Sequence, residues 1–156
     1  MKLIEFISPK AIILELKSND KKGVIEELVK IIKSSYAPKR FPINKIVSAC
    51  LIREKLGSTG LGNGVAIPHA KITYTNKIVG AYGYSPRGVD FNALDGGLVH
   101  FIFLLLSPTN DNENKHLQAL KSIVYNIQQP NFTKFLKNIK TIEEAKELFG
   151  EFEFKG

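Results

Sequence analysis

Apolar and polar positions along the chain change period several times, and each change predicts an element. Ala11-Ile-Ile-Leu-Glu-Leu16 is short, branched and apolar, which predicts a strand. Asn19 or Asp20 can cap the helix that follows, with Val24, Leu28, Ile31 and Ile32 on one face and an end near Ser34-Ser35. A loop with Pro38 and Pro42 leads to a second helix, from about Asn44 to Leu56. Ile43, Ile46, Val47 and Cys50 form its apolar stripe, and Gly57 is placed to end it. Val65–Pro68, Ile78–Ser85 and Leu98–Ser107 read as strands. The last is apolar almost without interruption, which predicts a strand covered on both faces. Helical spacing returns after Asp111, with Leu117, Leu120, Val124 and Ile127, and Pro130 closes that segment. Phe132, Phe135 and Leu136 predict a short helix, and Thr141-Ile-Glu-Glu144 reads as a capping box opening a last helix to about Phe149. Residues 151–156 read as a short frayed tail. Strands with helices on both sides of them in sequence predict one α/β domain over residues 1–150, with a mixed central sheet flanked by helices.

A length of 156 residues and 44% apolar side chains suit one domain with a proper core. A single cysteine, Cys50, cannot form an internal disulfide, and its place on a helical stripe makes it a core residue. The N-terminus lacks the pattern of a signal peptide, and the longest apolar run, Phe101–Leu106, is too short to span a bilayer. The expectation is a cytoplasmic protein with no membrane insertion. The formal charge is +7 and is unevenly spread: residues 1–56 hold 12 basic and 6 acidic groups, residues 57–114 hold 3 and 4. The surplus is mostly lysine, with only Arg40, Arg53 and Arg87 as arginines, so base readout in DNA is not expected. A lysine-rich solvated surface and a face for an acidic partner both fit.

Candidate chemistry concentrates between Arg53 and Ala70. Nine of the twelve glycines lie between Gly57 and Gly97, four of them within residues 57–64. Bare backbone can approach a ligand closely and turn N–H groups toward an anion. No Gly-Lys-Ser/Thr follows, which excludes a Walker A loop, and the spacing differs from a dinucleotide fingerprint. A plain structural turn remains the alternative. His69 directly follows Pro68 at the end of a short strand. A neutral imidazole there is both base and nucleophile.

The segment Gly57-Ser-Thr-Gly-Leu-Gly-Asn-Gly-Val-Ala-Ile-Pro-His69 resembles the active-site segment of type-2 enzyme IIA domains of the bacterial phosphoenolpyruvate-dependent phosphotransferase system. That family includes fructose and mannitol components and nitrogen-regulatory IIA proteins. The resemblance continues through Val89–Asp95, Phe103–Pro108 and His116-Leu117, and covers roughly residues 10–150. It implies the type-2 IIA fold and a phosphocarrier with no cofactor or metal. His69 falls where the family's phosphohistidine lies, Arg53 where an arginine supports the phosphoryl group, and His116 where a second histidine stands beside the first. Amides of the loop residues Gly57, Ser58, Thr59, Gly60, Gly62 and Asn63 are expected to hold phosphate oxygens. His116 opens a helix, so unpaired N–H groups and the positive dipole end are expected near it. The implied donor is an HPr-like phosphocarrier. The implied acceptor is a IIB component or, in the regulatory branch, a regulated transporter or sensor kinase. Sugar import and a binding regulator without transfer are the rival readings. His100 departs from the pattern, at a position where relatives often carry an acid. Its apolar surroundings predict a covered, hydrogen-bonded packing residue, and no spacing links the three histidines as zinc ligands.

Overall fold

The computed structural model describes residues 1–36 and 38–156, so Ala37, in the loop predicted around Pro38, lies outside the described residues. A 3-10 turn, Leu3–Glu5, precedes β1 (Ile7–Ile13), α1 (Lys21–Tyr36) and α2 (Ile43–Lys55). Short strands follow, β2 (Gly60–Gly62), β3 (Val65–Ala66) and β4 (His69–Ile72), then two long ones, β5 (Val79–Val89) and β6 (Val99–Pro108). Three helices close the chain: α3 (Lys115–Ile127), α4 (Phe132–Asn138) and α5 (Ile142–Phe149).

The strands form one mixed sheet in the order β1-β5-β6-β3-β2, with β4 also paired to β6. β5 runs parallel to β1 and antiparallel to β6, while β3 and β4 lie successively along the other edge of β6, both parallel to it. β6 shows how the sheet is held. Phe101, Phe103 and Leu105 join one core, and Ile102, Leu104 and Leu106 the other. This alternation is the period of a strand buried on both faces, and each fully buried large apolar side chain contributes about 1.5–3 kcal/mol. α1 and α2 cover one face through Val24, Leu28, Ile46 and Cys50. Ala119, Ile123, Phe132 and Phe149 of α3–α5 cover the other.

Local signals account for the helix ends. Asp20 Oδ1 accepts from the Gly23 amide at 2.8 Å and starts α1. Thr141 Oγ1 accepts from the Glu144 amide at 3.2 Å and starts α5. Cys50 is fully buried, and burial pushes its thiol pKa up to about 12.

Three expectations need correction. The first strand begins at Ile7, four residues before the predicted start, and holds Pro9; it pairs only with β5, and its register shifts between Ile7 and Ile12, which accommodates a proline. β5 likewise runs beyond Ser85 through Pro86, with a register shift between Tyr84 and Val89. The C-terminal tail is docked rather than frayed. The Phe154 amide donates to the Met1 carbonyl at 3.1 Å, and the terminal amine donates back to the Phe154 carbonyl at 2.5 Å. The Tyr125 and Phe154 rings stand 5.6 Å apart.

Candidate active site

β4 is where chemistry-bearing side chains from both helical layers meet. Pro68 interrupts the edge between β3 and β4, and its carbonyl accepts from the Leu105 amide at 3.0 Å, so His69 starts β4 in register with Leu105. Strand alternation puts His69 and Lys71 on one face, while Ala70 and Ile72 enter the core. α2 brings Arg53 from one side and α3 brings His116 from the other. Arg53, His69, Lys71 and His116 line a shallow cleft of about 350 Å³, together with Ile52 and Leu56.

His69 Nδ1 lies 2.8 Å from the Ile67 carbonyl oxygen. A carbonyl only accepts, so Nδ1 carries the proton and Nε2 keeps a free lone pair. Burial pushes the His69 pKa below the ordinary histidine value, with the Arg53 charge adding to the effect and the Ile67 bond and Glu54 opposing it. The ring is thus neutral and nucleophilic at physiological pH. The His116 ring centroid is 5.3 Å away at an interplanar angle of 56°. Burial lowers the His116 pKa to about 4, helped by His69 and Lys71 and opposed by Asp111. Its Nδ1 lies 2.5 Å from Ser107 Oγ on β6. Arg53 donates from Nη1 to the Gly57 carbonyl at 2.8 Å. That bond engages part of the guanidinium fork and fixes its position; the other N–H groups have no protein acceptor among the described residues.

Two predicted sources of anion-binding amides are already engaged. At the start of α3, Asp111 accepts from the Lys115 amide at 2.8 Å and from the His116 amide at 2.7 Å, so these two N–H groups are not unpaired. These bonds hold the Asp111 carboxyl below the usual carboxylate range. The glycine loop is similarly occupied. The Gly57 amide donates to the Glu54 carbonyl at 3.2 Å, Thr59 N to Glu54 Oε2 at 3.3 Å, Gly60 N to Ser58 Oγ at 3.0 Å and Asn63 N to Asp95 Oδ2 at 3.1 Å. Ser58 Oγ donates to the Phe91 carbonyl at 2.5 Å. Asn63 (φ 55°) and Gly64 (φ 78°) turn the β2–β3 hairpin, and at Gly62 (φ 98°), the last residue of β2, a Cβ would stand 3.3 Å from Asp95 Oδ2. Hence Gly57, Ser58, Thr59, Gly60, Gly62 and Asn63 do not line the cleft. The amides of Gly57, Thr59, Gly60 and Asn63 are bonded within the fold, and the loop stands beside the cleft.

The frame has its own centre, which sequence reasoning missed. Glu54 is buried beside Arg53 on α2, with a side chain only 3% exposed. It accepts from Lys21 Nζ at 3.0 Å and from both the amide and the hydroxyl of Thr59. Lys21 also donates to the Phe91 carbonyl at 3.2 Å and lies over the Phe91 ring. One carboxylate therefore ties α1, the end of α2, the glycine loop and the segment after β5. Val47, Cys50 and Glu54 share the i, i+3, i+7 spacing, so a charge on the apolar stripe was the readable signal. Lys71 was readable from alternation, two residues after His69. Ser107 and Asp111 had no local signal.

His100 lies at the opposite end of β6 and on the other face. It is half-buried rather than covered, because it sits at the sheet's end, where Nδ1 lies 2.8 Å from the Ser85 carbonyl oxygen. Among the described residues no three His, Cys, Asp or Glu side chains cluster as a metal site, and no helix is long and apolar enough to cross a membrane.

Comparison with known proteins gives the family and agrees with the fold. A nitrogen regulatory protein of Bradyrhizobium diazoefficiens is 34% identical over 137 residues, covering 88% of this chain and 87% of the relative. The fructose-specific EIIABC component of Bacillus subtilis is 37% identical over 123 residues, which span 79% of this chain and 19% of that longer protein. The crystal structure of nitrogen regulatory protein IIA-Ntr from Neisseria meningitidis superposes with a TM-score of 0.83 at 31% identity, over 93% of this chain and 97% of that one. Mannitol IIA of Escherichia coli, in a complex with phosphorylated mannitol IIB, shares the fold at a TM-score of 0.74 and 20% identity. Residues 5–151 match the family model of the phosphoenolpyruvate-dependent sugar phosphotransferase system, EIIA 2, and the chain belongs to that family of phosphotransfer proteins.

Proposed function

We propose that His69 Nε2 is the phosphoacceptor, charged by the phosphohistidine of an HPr-like carrier in the cytoplasm. The observation that carries this reading is the pairing of a fixed tautomer with a fixed charge: His69 Nδ1 is bonded to the Ile67 carbonyl at 2.8 Å, which leaves Nε2 free, and Arg53 lines the same cleft. In the transfer the Nε2 lone pair attacks phosphorus, the donor's N–P bond breaks, and its electron pair returns to the donor ring. The Nδ1 proton stays in place, so the phosphorylated ring gains positive charge that the Ile67 carbonyl stabilises. Arg53 offers its remaining N–H groups to the equatorial oxygens, where a guanidinium fork fits best. His116, held neutral at physiological pH by burial, lines the same cleft with its ring 5.3 Å from that of His69. Donor and acceptor are both side chains, so the step balances without nucleotide or metal.

The phosphoryl group then passes to a IIB component, or the phosphorylated state itself signals to a transporter or sensor kinase. End-to-end similarity to nitrogen regulatory proteins supports the regulatory branch over sugar import. The test is incubation with phosphoenolpyruvate, enzyme I and HPr-type carriers, followed by mass spectrometry and phosphorus NMR. One acid-labile, base-stable phosphate on Nε2 of His69 is expected. A phosphate on Nδ1, on His116, or retained in His69→Gln would overturn the assignment.

A further inference from the structure

A second cavity, of about 540 Å³, opens at the far end of β4, between the last turn of α1, the segment entering α2 and the turn joining β4 to β5. Its floor is apolar, with Ile32 and Phe41 buried. Its rim holds three cations, Lys39, Arg40 and Lys77, set among Tyr36 and Tyr74. The Arg40 guanidinium lies 5.4 Å from the Tyr74 ring centroid, and the Lys77 ammonium 5.3 Å from that of Tyr36.

These positions are held by bonds of their own. The Tyr36 hydroxyl donates to the Phe6 carbonyl at 3.1 Å and accepts from the Ser8 amide at 3.2 Å, which fixes the ring under Lys77. Thr75 Oγ1 donates to the Lys77 carbonyl at 2.7 Å and fixes the turn that carries it. Lys77 also borders a neighbouring cavity that contains Glu5, Asp111 and Glu113, but the aromatic contact keeps its ammonium on the Tyr36 side.

The ion pairs of the described residues are Lys21–Glu54, Lys30–Glu26 and Lys115–Glu113, and none involves Lys39, Arg40 or Lys77. Three unpaired cations around one concavity repel each other and concentrate anions from solution. An arginine fork with two lysine point charges matches a phosphate-bearing group better than a single carboxylate. The apolar floor and tyrosine rings leave room for an organic portion. The volume lies in the range of small-molecule sites, and the charges ring one cavity instead of forming a stripe for a polymer.

We propose that this cavity binds a small phosphate-bearing anion of the nucleotide class, at a site separate from the His69 cleft. His69 opens β4, and Thr73 and Tyr74 at the cavity directly follow its last residue, so the two sites are about 13 Å apart along the strand. The reading does not depend on His69 being the phosphoacceptor.

Amide NMR titration at physiological salt tests it, with ATP, pyrophosphate and adenosine as separate probes and a single-stranded RNA as competitor. Saturable shifts from ATP at Tyr36, Arg40, Phe41 and Thr73–Lys77 are expected, with weaker binding of pyrophosphate and adenosine. The Arg40→Ala, Lys77→Ala double variant should bind ATP at least about tenfold more weakly, keep the wild-type spectrum elsewhere and accept phosphate at the wild-type rate. Absence of saturation, unchanged affinity in the double variant, or shifts spread over all lysine-bearing surfaces would overturn the site. Pyrophosphate binding as tightly as ATP would overturn the organic portion, and RNA binding that outcompetes ATP would overturn the small-molecule class.

Discussion

His69 and His100 make the same local bond and differ in everything around it. In each, Nδ1 lies 2.8 Å from a backbone carbonyl oxygen, Ile67 for one and Ser85 for the other, and each ring is half-buried. Both therefore present Nε2 as the unprotonated nitrogen when neutral. His69 opens into a cleft with Arg53, its ring 5.3 Å from the tilted ring of His116. His100 has the Phe101 ring at 6.4 Å and the bare backbone of Gly64 and Gly88 close by, and among the described residues no hydrogen bond or salt bridge joins its ring to a cationic side chain. It sits five residues along β6 from Leu105, the partner of His69, or about 17 Å away. A fixed tautomer is thus an ordinary way to satisfy a half-buried histidine. Phosphoryl chemistry needs fixed positive charge beside the ring, and Arg53 lines the cleft of His69.

The largest expected effect follows directly. His69→Gln abolishes phosphate uptake while His100→Gln keeps it, and loss of uptake in both variants, measured by intact mass, would break the contrast. Next comes the charge itself. Arg53→Ala slows transfer by roughly two to three orders of magnitude with little change in melting temperature, since one preorganised contact is worth about 3–4 kcal/mol in the transition state. Arg53→Lys restores part of the rate, as a point charge replaces the fork; stopped-flow transfer from the phosphorylated carrier reads both.

The Glu54 frame ties the Arg53 end of α2 to the glycine loop and to the segment after β5. Glu54→Ala leaves Lys21 and Thr59 without their partner and costs about 3–5 kcal/mol in denaturant unfolding. Wild-type stability in that variant would show that the pair is dispensable.

A pH series sharpens the contrast further. The folded pKa of His116 is about 4 and that of His69 is lowered, so the folded state binds fewer protons than the unfolded one below the ordinary histidine value near 6.5. Their stabilising contribution is complete above that value and is lost as pH falls toward 4. His116→Gln flattens the melting-temperature profile over this window, and an unchanged slope would refute the linkage. The smallest effect belongs to the packing histidine. His100→Asn costs about 1 kcal/mol for one hydrogen bond at the sheet's end and leaves transfer unchanged; slow transfer with unaltered melting would put His100 in the site.

Much of this was legible in the chain itself, for reasons that can be stated residue by residue. The unbroken apolar run of β6 required cover on both faces, and the two cores supply it. Asp20 and Thr141 announced their helices because a cap bonds within three residues of itself. His69 was legible because Pro68 and the glycine segment mark it locally. The misplaced start of β1 has an equally local cause: Pro9 reads as a breaker unless it is known that the strand has one neighbour and a register shift there.

The sequence by itself determined the α/β class, the positions of the helices, the two-sided burial of β6 and the candidate residues for phosphate chemistry. These depend on periodicity and on bonds between near neighbours, which any stretch of chain displays. Only the tertiary structure decided that Arg53 and His116 reach His69 from opposite layers and that the glycine loop's amides are bonded to Glu54, Ser58 and Asp95. It also decided that the tail docks on Met1 and that three cations share one cavity with two tyrosines. Each of these joins groups on different elements, and most join residues dozens of positions apart. Their energies come from desolvation and charge proximity in three dimensions, to which spacing along the chain gives no access.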